Sequence, residues 1–324
     1  MQVNFETLKS AVFGAQRIKV ENGELILNRF TDKQQSFIDL NHDEVRLMKE
    51  KGQTSAGICF DFYTDSQNLK ISVDSYIKIA QTLCYVDVLV NGEIVAHDGY
   101  NENENKSFTI KTSLGKGEKR VTIYMPNLFG AKVTEFELDD GATFVPYEEQ
   151  NKFLFHGDSI TQGYSAEYPS KSYANIISRT LNAHCVNQAI GGAVFNADLI
   201  DDVGFTPDKI FVAYGTNDWS KHKDFTNNSL AFFAKLKEVY KDSKIYVITP
   251  IWRGNIKEKT KTAQCSFKKM RSIIEKNALI YGLTVVDGDK LVPHDPKFFM
   301  QDVLHPNDEG FKHYAQNLCR IIKD

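Results

Sequence analysis

The sequence lacks the features that mark several specialised classes of protein. Its 324 residues carry 39 lysines and arginines against 42 acidic residues, so neither sign of charge is in large excess. Nucleic acid is therefore not an expected partner. No apolar run approaches the roughly 20 residues that span a bilayer, and the start, Met1 to Glu6, lacks the basic segment and apolar core of a signal peptide. We expect a cytoplasmic protein that has no membrane partner.

Cysteine is also scarce, and its pattern excludes a disulfide framework. The five cysteines are odd in number and widely spaced, which favours reduced thiols: Cys59, Cys84, Cys185, Cys265 and Cys319. Their spacing gives no zinc pattern, and His156, His294 and His313 have no suitably spaced partner ligands either. The sequence predicts neither a metal nor another cofactor.

The first part of the chain, from about Val3 to Leu138, is rich in short stretches that alternate apolar and polar residues. Ile58, Phe60 and Phe62 show this alternation, and a similar run ends in Asn91-Gly92, a strong hairpin signal. Helical periodicity is nearly absent, apart from a weak signal over residues 41–51. The pattern predicts an all-β sandwich of the jelly-roll type.

The second part repeats a different unit, in which a buried strand, a loop and a helix follow one another. Apolar runs near residues 153–155, 210–213, 245–248 and 283–286 predict parallel strands, with a weaker one near 185–186. This alternation predicts an α/β fold whose parallel sheet has helices on both faces and its sites at the carboxyl ends of the strands. An aperiodic stretch over 139–152 predicts the boundary between domains 1–145 and 146–324.

Ser159 follows the first of these strands, a short apolar run that is rich in aromatic residues. Gly157 allows a tight turn after the strand, so Ser159 is expected at the sheet edge, near the start of a helix. The unpaired N–H groups at a helix start can stabilise negative charge beside the serine oxygen. Taken alone, a serine in such a turn is more often a cap or turn residue than a nucleophile.

Three further polar stretches follow strands or precede the last helix at the same predicted edge: 187–193, 215–218 and 302–306. Together with the stretch around Ser159, they resemble the GDSL, or SGNH, hydrolases, whose ordered blocks contribute Ser, Gly, Asn and His. The resemblance covers residues 153 to about 322. It implies a three-layer, flavodoxin-like α/β/α domain, and a β-sandwich preceding that domain looks like several carbohydrate esterases of the family.

The resemblance implies that Ser159 is the nucleophile, His305 its base and Asp302 the group that orients the imidazole. The chemistry requires such partners, because a serine hydroxyl is a weak nucleophile until a base takes its proton. The resemblance also implies an oxyanion hole formed by the N–H groups of Ser159 and Gly192 and by the amide of Asn217. Without the other blocks, Asn217 would be interpreted as an ordinary turn residue after a strand.

Five neighbouring side chains allow weaker predictions. Trp219 and Trp252 are candidate walls of an acyl or sugar pocket, although packing between domains explains them equally well. Arg253 is a candidate contact for an anionic or polyhydroxyl substrate, or a solvated charge. Asp158 and Asp218 are expected to accept local hydrogen bonds rather than to act as acid or base.

The sequence therefore predicts a serine hydrolase that cleaves a small carboxylic ester through an acyl-enzyme, with an acetylated sugar or oligosaccharide as the expected substrate. An acyltransferase that uses the same acyl-enzyme is the first alternative. A carbohydrate-binding protein with an idle hydrolase domain is the second. Exposed strand edges permit a homodimer without requiring one.

Overall fold

The structure is a computed structural model that describes residues 1–41, 48–79, 82–148, 150–221, 224–256 and 265–322. Its strands form two antiparallel sheets and one parallel sheet. In chain order the strands are β1 Val12–Phe13, β2 Arg17–Glu21, β3 Glu24–Asn28, β4 Cys59–Thr64, β5 Asn68–Lys78, β6 Leu83–Val90, β7 Glu93–Asn101, β8 Ser107–Ser113, β9 Lys119–Tyr124, β10 Phe129–Leu138, β11 Val145–Pro146, β12 Asn151–Gly157, β13 Ala183–Asn187, β14 Lys209–Ala213, β15 Lys244–Ile248 and β16 Thr284–Val286.

The α-helices of the described residues lie mostly in the second half of the chain. They are α1 Phe5–Leu8, α2 Asp32–Leu40, α3 Met48–Gly52, α4 Ser159–Gln162, α5 Tyr173–Thr180, α6 Thr216–Lys221, α7 Phe225–Val239, α8 Phe267–Ile280 and α9 Asp308–Ile322. Among these described residues, no helix has the length and apolarity needed to cross a membrane.

The two antiparallel sheets form the predicted sandwich. One has the strand order β1-β4-β9-β6-β7, with β11 also paired to β4, and the other has the order β2-β3-β10-β5-β8. Alternate side chains of each strand point into one core, where Phe60 and Phe62 of β4 contact Phe136 of the opposite sheet. The predicted hairpin is also present, since Asn91 and Gly92 have φ of 50° and 89° and join β6 to β7.

The parallel sheet has the order β13-β12-β14-β15-β16, which is the flavodoxin-like order 2-1-3-4-5. Successive residues of the central strand β12 point to opposite faces. Phe153 and Phe155 pack in the same core cluster as residues of α5 and α9, whereas Leu154 packs with residues of α7 and α8. The predicted three-layer α/β/α arrangement is thus confirmed.

The helices of the first half depart from the sequence prediction. A capping box formed by Thr31 and Gln34 starts α2, and Ile38 of this helix is buried against the core of the α/β unit rather than inside the sandwich. The helix predicted over 41–51 lies partly outside the described residues, and its described end is α3. Two helices of the sandwich half, α2 and α3, therefore pack against the α/β half.

The predicted boundary between residues 145 and 146 falls within β11. This short strand pairs with Phe62 and Tyr63 of β4, and the first strand of the parallel sheet begins at Asn151. Strand pairing thus keeps residues 145 and 146 with the sandwich. The division into two domains stays a prediction.

Candidate active site

Ser159 lies at the carboxyl end of the central strand β12, where it opens the short helix α4. Asp158 caps this helix by accepting the N–H of Ile160 at 3.0 Å. Gly157 is required for close packing, because a Cβ at this position would lie 2.2 Å from Thr161 Oγ1. The strand, the glycine turn and the cap together leave the Ser159 side chain half-buried at the sheet edge.

A chain of hydrogen bonds links Ser159 to two residues of the loop before α9. Ser159 Oγ lies 2.8 Å from His305 Nε2, and His305 Nδ1 lies 2.5 Å from Asp302 Oδ2. The other oxygen of Asp302 accepts the backbone N–H groups of Leu304 and His305. We call Ser159, His305 and Asp302 the relay.

The protonation of the relay follows from its carboxylate. Partial burial opposes ionisation of Asp302, but the hydrogen bonds from His305 and from the backbone outweigh it and lower the Asp302 pKa to about 2. An ionised carboxylate only accepts hydrogen bonds, so His305 Nδ1 must donate to it. His305 Nε2 is then the acceptor that faces the hydroxyl of Ser159.

The loop that carries Asp302 and His305 is held on several sides. The side-chain amide of Asn255 donates to the carbonyl of Asp302 at 3.0 Å, and the N–H of Gly254 donates to the carbonyl of Val303 at 2.8 Å. The ring of Tyr164 lies over the imidazole of His305, with centroids 4.5 Å apart. Sequence reasoning missed Tyr164 and Asn255, because neither belongs to a periodic or motif-like pattern.

The loop after β13 and the start of α6 bring the predicted oxyanion-hole residues to the same edge. The N–H of Gly191 donates to Gln162 Oε1 at 2.7 Å, and Gly192 stays the predicted donor. Gly192 has φ of 87°, which favours glycine. Asn217 lies beside this segment and donates its amide to the carbonyl of Ala193 at 3.1 Å.

The relay and the loop over residues 188–193, which we call the glycine loop, fall within a stretch that matches a known family. The family model described as GDSL-like lipase/acylhydrolase matches residues 155–313. The chain carries a GDSL-like lipase/acylhydrolase domain. No curated protein matches the chain.

Solved structures resemble the chain beyond this GDSL-like domain. A protein from Bacteroides ovatus described as a GDSL-like lipase has a TM-score of 0.80 at 18% identity, over 100% of this chain and 97% of its own. A salicylyl-acyltransferase from a tetracycline biosynthetic pathway has a TM-score of 0.75 at 19% identity, over 95% and 92%. A family two carbohydrate esterase from Clostridium thermocellum has a TM-score of 0.65 at 16% identity, over 83% and 93%. At these identities the likeness shows a shared fold.

Two of the three predicted substrate contacts lie in the interior of the GDSL-like domain. Trp219 is 1% exposed, and its indole N–H donates to the carbonyl of Cys265 at 2.7 Å, so the structure does not support a pocket wall there. Arg253 is not a solvated charge. It is 3% exposed, lies over the Trp219 ring and donates to Asn255. Trp252 is half-buried between His294 and Phe299, and its substrate role stays a prediction.

The two aspartates beside the relay and the glycine loop are both buried. Asp158 accepts the cap hydrogen bond, and Asp218 accepts the N–H of Phe195 at 3.1 Å. His156, also buried, has its pKa lowered to about 4 by desolvation, so its ring stays neutral at neutral pH. In the described part of the chain, no group of three or more His, Cys, Asp or Glu side chains is arranged to hold a metal ion.

Proposed function

We propose that the protein is a serine esterase that removes a short acyl group, preferably acetyl, from a carbohydrate. The observation that carries the proposal is the unbroken relay, with Ser159 2.8 Å from His305 and His305 2.5 Å from Asp302. The separation of Ser159 and His305 lies within the range that proton transfer between a nucleophile and its base requires, and Asp302 is close enough to orient the imidazole. An idle hydrolase domain would not need to maintain this geometry.

Acyl transfer to the enzyme begins when Ser159 Oγ attacks the carbonyl carbon of the ester. His305 Nε2 accepts the hydroxyl proton, and the negative charge of Asp302 stabilises the imidazolium that forms. His305 then gives this proton to the leaving sugar oxygen, and the acyl group stays on Ser159. A water molecule that loses its proton to His305 attacks the acyl-enzyme, which releases the acid and restores the serine.

The tetrahedral intermediates of both steps carry a negative oxygen that needs donors. We assign this role to the N–H groups of Ser159 and Gly192 and to the side-chain amide of Asn217. The positive end of α4 adds to the field at Ser159, although a helix of four residues contributes little. Fixed donors of this kind act mainly on the transition state, so they raise kcat more than they lower KM.

The carbohydrate part of the proposal is supported by the fold and by a cleft. The family two carbohydrate esterase shares the fold over 83% of this chain. An open cleft of about 580 Å³ lies beside the His305 loop, although the relay residues do not line it. Its lining consists of Leu83, Asn101, Ser165, Glu167, Lys297, Phe298, Met300, Asn307, Asp308 and Glu309. Its mixed polar and apolar lining suits a sugar ring.

A hydrolysis screen with nitrophenyl esters of increasing acyl length and with acetylated sugars tests the proposal. Ser159→Ala is expected to lower kcat by at least about 10⁴-fold, because the nucleophile is lost. Ser113→Ala, which changes an exposed serine of the sandwich, is the matched control and should keep wild-type kcat. Wild-type turnover in Ser159→Ala would remove the basis of the proposal.

An acyltransferase is the second candidate, and the fold shared with the salicylyl-acyltransferase favours it. The same acyl-enzyme would then be resolved by an alcohol instead of water. Measuring free acid and transferred acyl group, with and without candidate alcohols, separates the two reactions. Transfer that exceeds hydrolysis at low millimolar alcohol would identify the acyltransferase.

A further inference from the structure

A lysine from the first half of the chain contacts the loop that carries the candidate oxyanion donor. Lys51 lies in α3, and its ammonium donates to the carbonyl of Gly191 at 2.7 Å. In a trans peptide the carbonyl of one residue and the N–H of the next point in opposite directions from the same planar unit. The ammonium is therefore bound to the far side of the peptide whose N–H belongs to Gly192.

We propose that Lys51 is a positioning residue of the oxyanion hole, an inference that rests on the proposed function. Its ammonium fixes the orientation of the Gly191–Gly192 peptide and polarises it. A hydrogen bond from a charged donor is roughly twice as strong as a neutral one, and a carbonyl that accepts it makes the N–H of the same peptide a better donor. Lys51 would thus strengthen the Gly192 N–H without touching the substrate.

The preceding peptide, between Ile190 and Gly191, is fixed by a residue of the GDSL-like domain. The N–H of Gly191 donates to Gln162 Oε1 at 2.7 Å, and Gln162 Nε2 in turn donates to Thr54 Oγ1 at 2.9 Å. Gln162 is the last residue of α4, the helix that Ser159 begins. Gly191 is thus held through its N–H by the nucleophile's helix and through its carbonyl by Lys51.

A buried arginine fixes the segment that carries Lys51 relative to the same loop. Arg29 is fully buried, and one terminal nitrogen of its guanidinium donates to the carbonyls of Asn187 and Ala189. The other terminal nitrogen donates to the carbonyl of Lys51 at 2.8 Å. One rigid planar group thereby connects the backbone of Lys51 to the segment that leads into Gly191.

The proposal is tested in the full chain with three variants. Lys51→Met keeps the length and apolar stem of the side chain and removes the ammonium. Lys51→Arg keeps a charged donor, and Lys49→Met removes an exposed lysine of the same helix as a matched control. We expect Lys51→Met to lower kcat by about 10-fold to 100-fold, which is less than the loss of a direct oxyanion donor. KM should change by less than about twofold, Lys51→Arg should recover part of kcat, and Lys49→Met should match wild type.

Binding of a boronic acid supplies a readout that a merely structural role would not change. The serine oxygen adds to the boron to give a tetrahedral adduct whose oxygen occupies the oxyanion hole. Lys51→Met should weaken this adduct by the same factor by which it lowers kcat/KM, since both report on stabilisation of the tetrahedral state. Thermal unfolding of each variant establishes that the comparison is between folded proteins.

Three results would overturn the inference. Lys51→Met could keep wild-type kcat. It could raise KM with kcat unchanged, which would mean that the ammonium contacts the substrate. It could also bind the boronic acid as tightly as wild type. Ser159→Ala in the same assay keeps this failure distinct from failure of the proposed function. If Ser159→Ala is inactive and Lys51→Met is normal, only the role of Lys51 is wrong. If Ser159→Ala is active, the esterase proposal is wrong as well.

Discussion

Single residues near the relay show how strongly burial changes their chemistry. Asp218 is 1% exposed, and one of its oxygens accepts the N–H of Phe195 while the other has no hydrogen-bond partner. Burial is the main cause that raises the Asp218 pKa to about 7, and the charge of Asp158 adds to the rise. This carboxyl is therefore neutral in a large fraction of molecules near neutral pH.

A change in the pH dependence of stability is expected when Asp218 is replaced by asparagine. In the unfolded chain an aspartate titrates near pH 3.9, so between about pH 4 and 7 the folded protein holds a proton that the unfolded chain has released. This contribution to stability is fully present below about pH 4 and is lost as pH rises through about 7. The substituted amide does not titrate, so the stability of D218N relative to wild type should rise over this window by on the order of 1 to 4 kcal/mol.

Urea unfolding of both proteins measures this difference. The titrations are run at pH 4.5, 6 and 7.5, values chosen to span about pH 4 to 7. The asparagine oxygen can still accept the Phe195 N–H, so the comparison isolates the titration. Two stability curves that stay parallel over the whole range would show that Asp218 does not bind a proton in the folded state.

Sequence reasoning at the residue scale worked where the constraint was local. Asp302 and His305 are three residues apart, and Pro306 disfavours helix at His305, so a short turn was enough to place the carboxylate beside the ring. Trp219 and Arg253 were harder, because their burial depends on segments distant in sequence. The carbonyl of Cys265, which accepts the Trp219 indole N–H, lies 46 residues away.

Among the loops, the one that joins Asp302 to His305 has a strained backbone. Val303 has φ of 49°, a left-handed conformation that costs a residue with a Cβ about 1 to 2 kcal/mol and suits a β-branched one least. The N–H of Gly254 and the amide of Asn255 bond to this loop and hold the conformation. The strain therefore lies between Asp302 and His305, the two other residues of the relay.

Replacing Val303 by Gly and by Ala tests this strain directly. At an ordinary position the glycine variant is the less stable of the two by about 0.4 to 1 kcal/mol. At Val303 we expect the reverse, with V303G more stable than V303A by about 1 kcal/mol, because only glycine adopts this φ without strain. Val20 in β2 does not have a positive φ and serves as the control position, where Ala should be the better residue.

Denaturant titration of the four variants gives the two differences. If V303G is less stable than V303A by the margin found at Val20, the backbone at Val303 is not strained in solution.

Strands that appear as short apolar runs were the easiest elements to predict. Helices whose position depends on contacts between the two halves were the hardest. The strands of the parallel sheet are short, apolar runs that need both faces covered, so their burial was evident. The helix α2 was missed although Thr31 and Gln34 form its capping box, because its apolar face is narrow and only Ile38 is a fully buried apolar residue. At the end of α9, Ile322 is buried whereas Ile321 is exposed, so Ile322 continues the buried face.

At the scale of the whole molecule, one guanidinium makes hydrogen bonds to both halves. The five N–H groups of Arg29 make five hydrogen bonds, one to the last residue of β13, one to the loop that follows it, and three to Lys51 and Thr54. Burial lowers the Arg29 pKa from its usual range, and the ring of carbonyl acceptors offsets part of that desolvation. No sequence pattern indicates such a contact between residues 158 positions apart.

Replacing Arg29 by Met is expected to destabilise the protein as a whole. Each buried acceptor left without its donor costs about 1 to 3 kcal/mol, so R29M should lose at least about 3 kcal/mol of the free energy of unfolding. R320M, which changes an exposed arginine at the end of α9, should stay within about 0.5 kcal/mol of wild type. Urea unfolding followed by both circular dichroism and tryptophan fluorescence measures the loss, and a wild-type midpoint for R29M would contradict it.

The position of Arg29, Lys51 and Thr54 also limits how this protein can be re-engineered. A chimera that joins residues 146–324 to a foreign β-sandwich would leave the glycine loop without the side chains that brace it. A chimera that folds has to include the segment from Arg29 to Thr54 together with residues 146–324, although the two are far apart in the sequence. The sheet to which a segment belongs is therefore a poor guide to where the junctions of a chimera can be placed in this chain.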